Sequence, residues 1–442
     1  MATTYLTRTF SSPTNRKIWT WSAWVKRQNL VSNYANAMFG AYYDGNNRSV
    51  IRFDTHELNF QDSANSVEIK TNRLFRDISA WYHIVAAVDT TQGTASDRIR
   101  LYVNGEQQTS FRQADYPAQN DNMQFNGADP HYINGRNSSG SVDSIADMSY
   151  SHVHFCDGTA LAPTVFGETD ATTGEWKIKT DPSFTLGTNG FTILKDGNTI
   201  TDQSTNSNNF SLGGGTLTKT EDSPSNVFAT MNPLSTISTL TYASGNTQIT
   251  GVNSYVWKTV FSTLGMNYGS SGKYYYEIKV ATLDLQTGIG VWGEPLPQTV
   301  TSNFFPNHHP FGFVYKEDGS VSDDSQTFYT GSSYTSGDII QCALDIDNSK
   351  IYFGKGGVWQ NSGDPTSGAT GTGAVPLEDN GGGAYFFFGT SYGTDVIQAN
   401  FGNGYFGTTA VSSAGTNASG NGIFEYDVPT GYTALSTKGL NL

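Results

Sequence analysis

The stretch RIRLYVNGE, residues 98–106, decides the fold class. Ile99, Leu101 and Val103 alternate with Arg98, Arg100 and Tyr102, the period-two pattern of a strand with one buried face. Asn104-Gly105 then supplies a two-residue hairpin turn. Its partner lies upstream in WYHIVAAVD, residues 81–89, where Ile84 to Val88 is an apolar run of strand length. Further upstream, WTWSAWVKR at residues 19–27 places Trp19, Trp21, Ala23 and Val25 on one face of an extended segment. Thr20, Ser22, Trp24 and Lys26 fall on the other. An apolar sheet face is stable only against another layer, so the expectation is an all-β chain of sandwiches.

Composition agrees. The 442 residues are about three domains' worth of chain, which two large β domains would account for. Only 14% are charged, 36% are hydrophobic and 13% aromatic; disordered chains pair low hydrophobicity with dense charge instead. Lys and Arg number 25 against 39 Asp and Glu, a net charge of −14. That balance excludes binding to a nucleic-acid backbone and a polybasic membrane patch. No apolar run approaches the roughly 18 residues of a membrane helix, so no membrane insertion is expected. The opening MATTYLTRTF lacks the apolar core of a signal peptide, which predicts synthesis in a cytoplasm without secretion. Cys156 and Cys342 form no motif and read as half-buried strand thiols.

Strand-like segments recur through residues 1–160, weaken through 161–245, and return through 246–442. The middle stretch is rich in Asn, Ser and Gly. Its apolar residues Phe166, Trp176, Phe191, Phe210 and Phe228 predict a connector pinned to a domain surface. No repeat of 20–50 residues and no heptad appears.

Three segments carry resemblances. WTWSAWVKR, WYHIVAAVDTT and RIRLYVNGE are similar to the laminin G, or concanavalin A-like, jelly roll. GKYYYEIKV, GIGVW, DIIQCALDIDNSKIYFGKGG and ANFG resemble a SPRY domain. The pattern departs at Gly354-Lys355-Gly356-Gly357, where that family more often has an Asn-Gly turn. The combination, with DGTALAPTVFGETDATTGEWKIK and DSPSNVFATMNPL between, resembles virion structural, tail-fibre-like proteins of tailed bacteriophages and prophages. That resemblance implies a non-enzymatic protein on the virion: a tail appendage, a fibre or spike tip, or a capsid decoration. It implies contacts with other virion proteins, a homo-oligomer of trimeric symmetry, and loops that bind a glycan or protein of the host surface.

The residues that suggest catalysis or metal binding each have a plainer role. A retaining glycosidase needs two carboxylates about 5 Å apart. Glu277 stands alone in its strand, and Asp345 with Asp347 precedes a turn, so a polysaccharide hydrolase is the alternative and no catalytic residue is expected. His152, His154 and Cys156 share one strand face, which an ordinary semi-polar strand also produces, so no metal site is expected. No cofactor is expected. Calcium would have to use turn oxygens at Asp44 to Asn47, at Asp115, Asp121 and Asp129, or at Asp318, Asp323 and Asp324, none with the spacing of a defined calcium loop. Sugar recognition on a sandwich calls for aromatic platforms with nearby Asn and Asp oxygens. The candidates are Tyr42, Tyr43, Asp44 and Asn46 in the first domain. In the second they are Trp292, Phe304, Phe305, Tyr334, Trp359 and Tyr392.

Overall fold

The computed structural model describes residues 3–10, 12, 14–30, 36–138, 140–195, 197, 199–234, 240–252, 255–296 and 309–441. Among them strands dominate, with a few short 3-10 turns and no α-helix. The all-β expectation holds. The chain divides into two compact units, residues 1–219 and 220–442.

The first unit layers an eight-stranded sheet on a six-stranded one, with every pairing antiparallel. The six-stranded sheet runs Phe191–Ile193, Met148–Asp157, Ile18–Arg27, Trp81–Asp89, Ile99–Val103, Glu106–Gln107. Asn104 (φ 49°) and Gly105 (φ 81°) both take left-handed conformations, as the tight hairpin turn requires. Trp19, Trp21, Ala23 and Val25 enter the core with Ile84, Leu101 and Val103. From the facing sheet, Phe39 stacks on Trp21 with centroids 5.7 Å apart and planes within 7°. Burial of a side chain such as Phe39 contributes roughly 2–3 kcal/mol. At one end of this core, buried Arg27 donates to the carbonyls of Phe75 (2.6 Å) and Thr55 (2.8 Å) and lies 4.8 Å over the Phe53 ring. Desolvation pulls its pKa down to about 10.

The second unit pairs a nine-stranded sheet, centred on Lys273–Thr282 between Val396–Asn400 and Ile339–Asp345, with a seven-stranded sheet containing Thr287–Gly293 and Ala384–Ser391. Tyr276, Ile278, Ile289, Val291, Phe387 and Phe401 are among its core residues. Gly356 (φ 59°) and Gly357 (φ 83°) turn Lys350–Lys355 into Val358–Trp359. Two glycines thus make the left-handed pair that Asn-Gly makes in the resembled family.

Residues 161–219 are built into the first unit. Phe191–Ile193 extends the six-stranded sheet. Ser211–Gly214 pairs with Tyr5–Thr9, so the beginning and end of this unit are hydrogen-bonded neighbours. The second unit closes in the same way. Ala229 N–H donates to Leu435 O, Thr437 N–H donates to Val227 O, and Thr433–Ala434 adds in parallel to Lys273–Thr282. Phe191 and Phe210 lie in the first core, and Phe228 lies in a cluster of the second unit.

Candidate recognition loops

In each unit a segment of the chain covers the outer face of one sheet. In the first, residues 161–186 lie over the six-stranded sheet. Thr20 Oγ1 donates to Thr159 O and accepts from Leu161 N–H, both at 2.8 Å. Phe166 stacks on His154 (5.4 Å, 22°), and the His83 ring lies near-parallel to both Trp176 (5.9 Å, 17°) and Trp24 (4.9 Å, 17°). The Trp176 indole N–H donates to His83 Nδ1 at 3.0 Å. His83 therefore carries its proton on Nε2 and donates it to Ser22 Oγ at 2.9 Å. Sealed in this stack, His83 has its pKa pushed down to about 3 by desolvation. Gly105 is needed here as well as in its turn, since a Cβ would sit 2.5 Å from the Trp176 ring.

The His152, His154 and Cys156 face is consumed in the same packing. A bulge breaks the strand register between Ser151 and His154, His154 Nδ1 bonds Thr192 Oγ1, and Cys156 Sγ donates to Thr185 O. Burial raises the Cys156 thiol to about 11, so it is no thiolate at neutral pH. Among the described residues no three His, Cys, Asp or Glu side chains are grouped to hold a metal.

In the second unit, residues 411–432 cross the outer face of the nine-stranded sheet, where Phe424, Val428 and Tyr432 pack on Tyr275, Ala343 and Tyr352. Glu277 fastens this segment. Its carboxylate accepts from Glu425 N–H and Tyr426 N–H, each at 2.9 Å, and from Tyr275 Oη at 2.8 Å. Desolvation raises its pKa to about 7 despite those donors. A raised carboxyl often marks an active site, but Glu277 is fully buried and its oxygens are engaged. Asp345, also buried, pairs with Lys273 Nζ at 2.8 Å and caps its hairpin through Asn348. Glu277 faces Gln341 and Lys273 faces Asp345 in the register. The two carboxylates thus stand four residues apart along the sheet, roughly 13 Å, beyond the spacing of a glycosidase pair.

The expected platform residues divide. Trp292 and Tyr334 are corrected to core residues. Trp292 is fully buried against Phe261 and Phe388, and Tyr334 sends its hydroxyl to the Thr287 and Tyr315 carbonyls. Gly293 and Pro295 make Trp292 look like a loop residue although it ends a buried strand, and the Gly- and Ser-rich segment around Tyr334 gives no sign that its ring turns into the core. Trp359 is half-buried against Tyr275. Phe304 and Phe305 lie outside the described residues. Tyr43 is 66% exposed beside half-buried Tyr42. The turn between them and Arg48–Asp54 is self-contained, since Asp44 accepts from Asn46 N–H and from the N–H and side chain of Asn47. Those donors hold the Asp44 carboxyl below its ordinary range. The other loop acids serve the same local purpose: Asp121 accepts from Ala118 N–H, Asp318 from Ser320 N–H, and Asp323 from Ser325 and Gln326 N–H.

Tyr392 belongs to a group the sequence reading missed. Its ring meets Trp257 at 5.2 Å (45°) and Tyr255 at 6.2 Å (67°). Tyr255 is 62% exposed and Leu285, on the adjoining turn, 38%. Asp395 ties these loops together. Fully buried, it accepts at one oxygen from Asp284 and Leu285 N–H and at the other from Ser391 Oγ, Tyr392 N–H and Gly393 N–H. Tyr255 and Trp257 lie outside any strand, with Tyr255 in a left-handed conformation (φ 49°), and Tyr392 is distant in sequence and joins them only through the fold.

Comparison with known proteins falls on the same two units. Residues 2–148 match the concanavalin A-like lectin/glucanases superfamily, and residues 273–377 match the SPRY domain. A segment of 101 residues, 23% of this chain, is 35% identical to the ATP-dependent RNA helicase DDX1 of Xenopus laevis, of which it spans 12%. Among solved structures, the SPRY domain of human HERC1 is similar at 17% identity and TM-score 0.30, covering 38% of this chain and 96% of that one. A SAP-like pentraxin from Limulus polyphemus is similar at 16% identity and TM-score 0.27, covering 36% and 71%. The chain carries a concanavalin A-like, laminin G-like domain in its first unit and a SPRY domain in its second.

Proposed function

We propose that this chain is a non-enzymatic surface protein of a tailed-phage or prophage virion that recognises a host-surface glycan through loops at the rims of its sandwiches. One observation supports this most: each unit covers an outer sheet face with its own chain, while bulky apolar side chains such as Tyr43, Tyr255 and Val358 stand exposed in or beside turns. Exposed aromatics on short, hydrogen-bonded turns suit sugar recognition, because little freedom is lost on binding. The net charge of −14 keeps such a subunit off packaged nucleic acid. Contacts with other virion proteins and a trimeric assembly complete the reading. It is tested by gold-labelling a tagged chain on purified particles. Label at a surface appendage or on the capsid supports it, and absence of the chain from particles overturns it.

A further inference from the structure

We infer that Tyr255, Trp257 and Tyr392 form a binding site for an uncharged pyranose, with Asp284 as the residue that excludes acidic sugars. This rests on the recognition reading above and names the ligand class.

A pyranose presents an apolar C–H face and a polar rim, so it is recognised by rings that cover the face and by a few oriented polar groups at the edge. The Tyr392 ring lies 5.2 Å from Trp257 and 6.2 Å from Tyr255, and it is tilted against both rather than coplanar, which makes a shallow trough instead of a flat shelf. Trp257 is anchored beneath by the Phe261 and Trp292 cluster, while Tyr255 remains open to solvent. Asp395 fixes the backbone of Tyr392 and of the 284–285 turn from below, so the trough is preformed.

Charge selects the ligand. Lys258, which follows Trp257 and faces Ser391 in the register, is buried at 5% exposure, and no other Lys or Arg occurs at 250–258, 283–287 or 391–395. The exposed Asp284 carboxylate accepts from Thr394 N–H (2.9 Å) and Thr394 Oγ1 (2.8 Å) through Oδ2. A Cβ on Gly393 would lie 2.6 Å from that same oxygen, so the charge sits beside the residue that follows Tyr392. A uronate or sulfated sugar stacked on Tyr392 would meet this carboxylate with no exposed Lys or Arg on these described segments to offset it, whereas a neutral sugar could donate a hydroxyl to it.

The test is calorimetric titration of the full chain with maltotetraose, cellotetraose and mannotetraose as neutral probes and tetragalacturonate as the acidic one, beside adsorption of the labelled chain to host cells. Binding of at least one neutral probe is expected, with tetragalacturonate excluded. Tyr392→Ala should weaken the neutral probe by about tenfold, and Asp284→Asn should admit tetragalacturonate. The last gain is one that a merely structural Asp284 would not produce. Equal binding of tetragalacturonate by the unaltered chain, or neutral binding indifferent to Tyr392→Ala, overturns the site. Adsorption to cells with no neutral probe bound overturns the site and leaves recognition standing; no adsorption overturns the recognition reading itself.

Discussion

The indole N–H of Trp176 donates to Nδ1 of His83 at 3.0 Å across 93 residues of sequence, and the two rings lie within 17° of parallel. This contact fastens the segment 161–186 to the first unit. Trp176→Phe keeps a stacking ring but leaves His83 Nδ1 buried without a donor. It should cost about 1–3 kcal/mol, read as a lower urea midpoint for the first unit and as faster proteolysis within 161–186.

The same histidine makes the first unit acid-sensitive. Its folded pKa, about 3, lies below the ordinary 6.5, so the unfolded chain takes up the proton first. The stability it confers is complete above pH 6.5 and is lost as pH falls from there toward 3. His131, pushed down to about 4, and His154, also lowered by burial, act in the same sense. His83→Phe should reduce the difference in unfolding temperature between about pH 7 and pH 5 relative to the unaltered chain. An unchanged difference would show that His83 does not titrate with unfolding.

Glu277 acts with the opposite sign. Its folded value near 7 exceeds the ordinary 4.5, so the folded state holds the proton more tightly. Its contribution is most favourable below 4.5 and is lost as pH rises from 4.5 through 7. Glu277→Gln should flatten that slope and cost about 1–3 kcal/mol, because one carboxylate oxygen becomes an NH2 group that faces the N–H of either Glu425 or Tyr426. Amide exchange at residue 425 or 426 should accelerate in the variant.

Each unit is closed by its own ends, through Tyr5–Thr9 with Ser211–Gly214 and through Ala229 with Leu435. Residues 1–219 and 220–442 should therefore each unfold cooperatively when produced separately. Removing 433–442 takes away the parallel strand Thr433–Ala434 and its neighbours. It should unfold the second unit and leave the first with an unchanged midpoint, measured by circular dichroism in urea.

Incubation with host-envelope polysaccharide should release no reducing ends. Turnover abolished by Glu277→Gln or Asp345→Asn would mean that these sealed carboxylates reach a substrate, contrary to their burial.

Strand faces were readable where one period-two run pairs directly with another, as with Trp19 to Val25 and Ile99 to Val103. What lies on the opposite face was not. Ser22, Trp24 and Lys26 look solvent-facing by alternation, yet all three are buried, the covering chain arriving from 140 residues downstream. The Asn- and Ser-rich stretch near 202–209 looks like a linker because its order comes from side chain to backbone bonds. Asp202 accepts from Thr192, Ser204 and Asn208 N–H, and Asn208 donates to Thr188 and Gly190 carbonyls. Such bonds leave no periodic trace. The aromatic group of Tyr255, Trp257 and Tyr392 was half visible for a related reason: its residues come from separated loops, and the buried carboxylate of Asp395 ties the Tyr392 loop to the 284–285 turn.

The most direct test is hydrogen–deuterium exchange of the full chain with and without purified host envelope. Protection should be confined to rim loops, foremost residues 255–257, 283–286 and 391–395. Protection over 161–186 or 411–432 instead, or none anywhere, would contradict recognition through the loops.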